Sequence, residues 1–155
     1  EGVVPEDVVR EVLKSDPGRL VEVVHRKQWL GSMMAGSLGF NAHFANIVAA
    51  LYLATGQDLA HVVEGSMGIT TAEMDGKDLY FSVYLPAVMM GSLGGGTHLP
   101  TQQQSLKMMG IEGKSGDRER LVKLLGMAVW AGEISLTGAL AARHLGRAHI
   151  TLGRK

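Results

Sequence analysis

The stretch from Gly39 to Asp58, GFNAHFANIVAALYLATGQD, constrains this chain more than any other. It holds no charged residue before its last position, yet it carries Asn41, His43 and Asn46 near one end and Asp58 at the other. Ala42 to Thr55 is apolar nearly all round, which predicts a long, buried, central helix. Gly56 supplies the left-handed stop at its end. A polar group buried without a partner costs about 1–3 kcal/mol. A run this apolar therefore keeps a histidine, two amides and a carboxylate either for a structural hydrogen-bond network or for chemistry.

The remainder of the chain narrows the setting. A length of 155 residues suits one domain with a real core, or a piece of a larger one. Fifteen acids balance fifteen bases, which argues against nucleic-acid binding or a polybasic membrane contact, because both need clustered positive charge. The absence of cysteine excludes disulfides and points to a reducing, cytoplasmic setting. Residues 121–142 have the length of a bilayer span, but Lys123, Glu133 and several glycines interrupt them, so no membrane segment is expected. The opening Glu1-Gly2-Val3-Val4 reads as the end of a strand, which implies the C-terminal part of something larger. No linker or repeat interrupts the chain, so residues 1–155 are taken as one portion of a domain without an internal boundary.

Local signals predict an α+β fold in which helices dominate. Pro5-Glu6-Asp7 opens a short helix to Lys14, and Asp16-Pro17-Gly18 closes it. Leu20 to Trp29 fits helix or strand, and Gly31 to Gly39 reads as loop. Ile69–Met74 and Asp78–Leu85 alternate as strands of a short β-hairpin around Asp75-Gly76. A helix from about Gln102 to Met109 follows, then a helical region from Asp117 to about Ala148 with a break near Gly132.

Several side chains are candidates for chemistry. Asp58 lies beyond the negative end of the helix dipole, so it calls for a Lys or Arg partner unless it is a solvent-exposed loop aspartate. His43 and Asn46, three apart, share a helix face and can grip a carboxylate or thioester oxygen, or sit in a core network. His149 can donate a proton near neutral pH, or be a surface histidine on a basic tail. His144 and His149, five apart, fail the i,i+4 spacing of a zinc pair, and no metal site is predicted. Gly94-Gly95-Gly96-Thr97 is either a tight structural turn or a place where backbone N–H groups approach a phosphate. Glu133, alone among apolar residues, reads as a buried paired carboxylate holding helices together. The nine methionines are core filling.

Taken in order, GSLGFNAHFANIVAALYLATGQD, GITTAEMDGKDLYFSVYLPAVMMGSLGGGTHL and AGEISLTGALAARHLGRAH resemble the C-terminal part of the catalytic domain of 3-hydroxy-3-methylglutaryl-coenzyme A (HMG-CoA) reductases. MGSLGGGT and ALAARHLGRAH carry the resemblance most specifically, and the short tail is similar to the class I, archaeal-like form. The resemblance implies the helix-dominated large, substrate-binding domain, NADPH-dependent reduction of HMG-CoA to mevalonate and coenzyme A, and a homodimer with sites at the subunit interface. It makes Asp58 the carboxylate that tunes a catalytic lysine and His149 the acid that protonates the departing thiolate. It places His43, Asn46, Leu136, Ala139 and Leu140 against the substrate. It places Gly94, Gly95, Gly96, Thr97, Gln102 and Arg154 against the nicotinamide cofactor, with NADH not distinguished from NADPH.

The family's catalytic lysine and glutamate, its Asp-x-Met-Gly-x-Asn motif and its small ferredoxin-like cofactor domain have no counterpart in these residues. A chain without its upstream partner is therefore expected to be inactive alone. The alternative is a non-catalytic dimerisation or acyl-CoA-binding module built on the same scaffold. A continuous helix from 43 to 58 would put His43 and Asp58 about 20 Å apart, so one thioester carbon cannot touch both.

Overall fold

The computed structural model describes residues 1–142. Contact density divides the chain into two compact units, each assembled from separate stretches. The first contains Glu1–Ala42, Ile69–Tyr84 and the chain from Trp130; the second contains His43–Gly68 and Leu85–Val129. Among the described residues the architecture is helix-rich with one small antiparallel sheet, in keeping with the α+β expectation.

In the first unit, strands β1 (Gly2–Val4), β2 (Ile69–Asp75) and β3 (Asp78–Tyr84) pair antiparallel in the order β1-β3-β2. The predicted hairpin is present. Asp75 pairs with Asp78, so the connection is Gly76-Lys77, with Gly76 at φ 61° in the first loop position that favours glycine. Alternation puts Leu79 and Phe81 inside, where they join Val9, Leu20, Val24, Ala72, Ile134 and Ala141 in one core. Two indoles tie the sheet to helices: Trp29 Nε1 donates to the Thr70 carbonyl at 2.7 Å, and Trp130 Nε1 to the Phe81 carbonyl at 2.9 Å.

The helices of this unit depart from the local reading in two places. Asp16-Pro17 does not close α1 (Glu6–Glu11) but opens α2 (Pro17–Val23). Asp16 caps it by accepting from the Arg19 N–H at 3.0 Å, and Pro17 occupies the first turn, where its missing N–H costs nothing. The segment expected to be loop also stays helical at its start. The chain widens into eight π-helical residues, Val24–Gly31, and then forms α3 (Ser32–Met34). The wide winding turns Gln28 fully inward, and its amide donates to Thr137 Oγ1 at 2.8 Å.

In the second unit, α4 (Phe44–Thr55) buries Phe44, Val48, Tyr52 and Thr55, one face at helical spacing, while Leu53 is 63% exposed. The expectation of a helix buried all round is thus met on one side only, because the described chain covers only that side. Gly56 at φ 71° ends α4, and the Gln57 N–H returns to the Tyr52 carbonyl at 2.9 Å in a Schellman closure. The 3₁₀ turn Leu59–His61, α5 (Val62–Gly65), the 3₁₀ turn Gly95–His98 and α6 (Pro100–Met108) follow. Leu106, Ile111 and Leu121 form a second small core here.

Helix α7 runs unbroken from Asp117 to Ala141, so the break expected near Gly132 is absent. Glycine lowers helix propensity by about 1 kcal/mol, but packing outweighs it. At Gly138 an added Cβ would lie 3.1 Å from Leu13 Cβ, tighter than an ordinary contact, so the bare backbone lets Leu13 pack closely against α7. By length and composition α7 could cross a bilayer; in this fold Leu121, Leu125, Val129, Glu133, Ile134, Thr137 and Ala141 along it are buried.

Asp117 anchors the start of α7. Its Oδ2 accepts three backbone N–H groups, from Glu112, Gly113 and Lys114, at 2.8, 2.7 and 2.8 Å. These bonds hold the carboxyl below its ordinary value. A lowered folded-state pKa contributes stability that is present above the unfolded value near 3.8 and is lost as pH falls through the folded value. Asp117→Ala is therefore expected to lower the melting temperature near pH 7. The gap to the parent should close progressively in acid below pH about 4 in thermal melts across pH.

Candidate functional site

The first unit carries an open groove of about 530 Å³ lined by Arg19, Glu22, Val23, Arg26, Lys27, Leu140 and Ala141. Leu136, Ala139 and Leu140 share one half-buried face of α7, and Leu140 reaches the groove. Of the three, Leu140 alone lines the groove, together with basic side chains that sequence reasoning did not single out. Arg19, Arg26 and Lys27 stand on α2 and the π-helical segment. Their convergence follows from winding and was not visible in a region readable as helix or strand. Arg19 pairs with Asp16 at 3.1 Å and Arg26 with Glu22 at 2.9 Å, so Lys27, over the apolar floor, is the lining cation best placed for an anionic ligand with an apolar portion.

In the second unit His43 is the N-cap residue of α4, and Asn46 lies exposed in its first turn. Asp58 stands at the other end, two residues beyond Gly56. Twelve helical residues span about 18 Å, so the two ends remain apart. Asp58 is not left facing the negative end of α4. Its Oδ1 caps the next turn by accepting from the Ala60 N–H at 2.9 Å, a favourable place for a carboxylate. Among the described residues its neighbouring titratable partner is His61, whose Nε2 lies 3.9 Å from Oδ2, and its side chain is 68% exposed, in keeping with the loop-aspartate alternative rather than with a lysine or arginine partner. Glu64 contacts the other ring nitrogen, Nδ1, at 2.5 Å. The Glu64 hydrogen bond, with the charges of Glu64 and Asp58, raises the His61 pKa, and the same hydrogen bond lowers that of Glu64.

The glycine turn is held against the loop that carries Asp58. The Gly96 N–H donates to the Gly56 carbonyl at 3.0 Å, and a Cβ built on Gly56 would lie 2.4 Å from the Gly96 backbone. Gln57 staples the same two segments. Its Oε1 accepts from the Gly91 N–H at 2.9 Å, and its Nε2 donates to the Gly91 carbonyl at 3.0 Å. Within the turn, the Thr97 N–H and hydroxyl both go to the Gly94 carbonyl, at 3.2 and 2.6 Å. The Gly96 and Thr97 amides are therefore spent on structure, as the tight-turn reading requires. Gly94, at φ 88°, presents open space, because a Cβ there would meet nothing within 4 Å. Gln102, in the first turn of α6, reaches the Leu53 carbonyl at 3.5 Å. His149 and Arg154 lie outside the described residues. Gln57 is the residue the sequence did not disclose; its position between Gly56 and Asp58 was the available signal.

This chain belongs to the hydroxymethylglutaryl-coenzyme A reductase family, whose pattern it matches over residues 1–154. It is 53% identical over 154 residues to a 3-hydroxy-3-methylglutaryl-coenzyme A reductase of Methanothermobacter thermautotrophicus, covering 99% of this chain and 38% of that protein. The same name belongs to a Methanocaldococcus jannaschii protein 51% identical over 149 residues, covering 96% of this chain and 36% of that protein. A Dictyostelium discoideum reductase 2 is 48% identical over 163 residues, covering all of this chain and 31% of its own length. The chain thus spans about a third of the length of these relatives.

Two measurements check the geometry. Gly56→Ala forces a side chain into a left-handed position and onto the Gly96 backbone, and is expected to cost at least about 2 kcal/mol in denaturant unfolding. Glu64→Gln removes the stronger partner of His61, so an NMR titration of that imidazole should show its pKa fall toward 6.5. The raised value contributes stability that is complete below the unfolded pKa and lost as pH rises through the folded one. Because the lowered Glu64 pKa gives up its share as pH falls through the folded value, the variant should lose stability mainly between the acid titration of Glu64 and that of His61.

Proposed function

We propose that these residues form the C-terminal, substrate-binding part of an archaeal-like class I reductase that converts HMG-CoA to mevalonate and free coenzyme A, using NADPH, in the cytoplasm. The observation that carries this reading is the stapling of the Asp58 loop to the glycine turn through Gln57 and Gly96. It puts the proposed catalytic carboxylate and a side-chain-free turn in one compact unit.

The open face at Gly94 fits the flat approach of a nicotinamide nucleotide, with Gln102 beside the turn and Arg154 on a phosphate. When bound, the nicotinamide supplies hydride; two transfers with two protons take the thioester to a primary alcohol and a free thiol. Asp58 accepts the ammonium of a lysine from the upstream part of the enzyme and keeps it charged beside the thioester carbonyl. His149 donates the proton that the departing thiolate needs, since a thiol of pKa about 8.5 leaves poorly as the anion at neutral pH. In the cationic groove, Lys27 pairs with a substrate anion while Leu140 covers apolar surface. Because His43 and Asp58 stand at opposite ends of α4, a second copy of the chain completes each site, giving a homodimer.

The assay is NADPH oxidation with HMG-CoA, using these residues alone and within the full-length enzyme. Activity is expected only in the latter. There, Asp58→Asn should lower kcat by about 10²-fold or more. Coexpressing Asp58→Asn chains with His43→Ala chains should restore part of the rate, as shared sites require. Acyl-CoA binding without turnover by the full-length protein would instead identify a non-catalytic module.

A further inference from the structure

A seam of fully buried polar groups runs through the first unit. Glu133 and Thr137, one turn apart on α7, are both 0% exposed, as are Thr70 and Gln28. Glu133 Oε1 accepts hydrogen bonds from the Ala42 backbone N–H at 2.5 Å and from the Thr70 hydroxyl at 2.7 Å. Thr137 Oγ1 accepts from Gln28 Nε2 at 2.8 Å. Gln28 Oε1 has no hydrogen-bond partner among the described residues.

Stability does not account for this arrangement. A buried carboxylate must recover a large desolvation cost, and apolar groups of similar volume commonly do as well or better. An unpaired buried amide oxygen adds a further cost of about 1–3 kcal/mol. The position of the seam is more informative. Gln28 follows Lys27, which lines the cationic groove. Thr137 follows Leu136, on the helix face that delivers Leu140 to the groove. Ala42 is the last residue before His43. Three of the anchored groups, Gln28, Thr137 and Ala42, are therefore chain neighbours of residues proposed to meet the substrate.

We propose that Glu133 is a positioning residue for HMG-CoA binding. With Thr70, Thr137 and Gln28 it fixes the π-helical segment, the turn ending at Ala42 and α7 in one geometry, so that Lys27 and Leu140 are preorganised. The proposal rests on the reductase reading above. A short carboxylate acceptor does this better than packing, because hydrogen bonds fix direction and a single oxygen fixes both the turn and the strand.

The test uses the full-length enzyme with separate determination of KM for HMG-CoA, KM for NADPH, kcat and melting temperature. Glu133→Gln retains an oxygen that can accept both bonds and should stay within about twofold of wild type in both KM values. Glu133→Leu should raise KM for HMG-CoA by about tenfold or more while leaving KM for NADPH within about twofold. Thr70→Val and Gln28→Leu, each removing one link, should raise the same constant by about threefold. These two variants carry the test if Glu133→Leu does not fold. A wild-type KM for HMG-CoA in both of them, or equal rises in both KM values, would overturn the proposal. Absence of HMG-CoA turnover in the wild-type enzyme would instead overturn the reductase reading itself.

Discussion

Glu133 Oε1 accepts the Ala42 N–H and the Thr70 hydroxyl, and through them it joins a turn and a strand that lie far from it in the chain. The rest of the first unit depends on this junction. The sheet is small, with three strands among the described residues, and β1 has three residues. Hydrophobic burial alone is non-directional, so the apolar core of Leu79, Phe81 and Ile134 does not by itself set the pitch of α7 against the π-helical segment. The Glu133–Thr70 and Thr137–Gln28 bonds do, and the two indole N–H groups repeat the device on the sheet.

The second unit obeys a different constraint, the contact of bare backbones. Gly56 must be left-handed to end α4 and must lack a Cβ for Gly96 to lie against it. One residue type thus satisfies a helix stop and a close approach together. Gln57 then closes the contact with a two-way amide bond to Gly91, a geometry in which a side chain imitates a strand pair. Asp58, next in sequence, inherits its location from these two neighbours. Its carboxylate caps the following turn, with His61 Nε2 3.9 Å away.

Much of the fold was legible because local rules agree with it. Alternation around Asp75-Gly76 pointed to the hairpin, Gly56 to the end of α4, and the isolation of Glu133 in an apolar helix to its burial. The misread places share a cause. Asp16-Pro17 is equally a stop for one helix and a start for the next, and only the cap to Arg19 decides. Gly132 looks like a break until packing along α7 outweighs glycine's propensity. The cationic groove was hidden because Arg19, Arg26 and Lys27 converge only in one particular winding of Val24–Gly31.

Residue types and their short spacings are enough to assign the family, and with it the kinds of side chain available: a carboxylate after a glycine stop, a glycine turn, an apolar helical stretch in which Glu133 is the single acid. Such features are set by residue type and spacing of a few positions, which local physics reads directly. The tertiary structure decided which of them meet. Gln28 and Thr137 are 109 positions apart, Ala42 and Glu133 are 91, and Gln57 and Gly91 are 34. Contacts at such separations depend on the packing of whole elements, and no local preference specifies them.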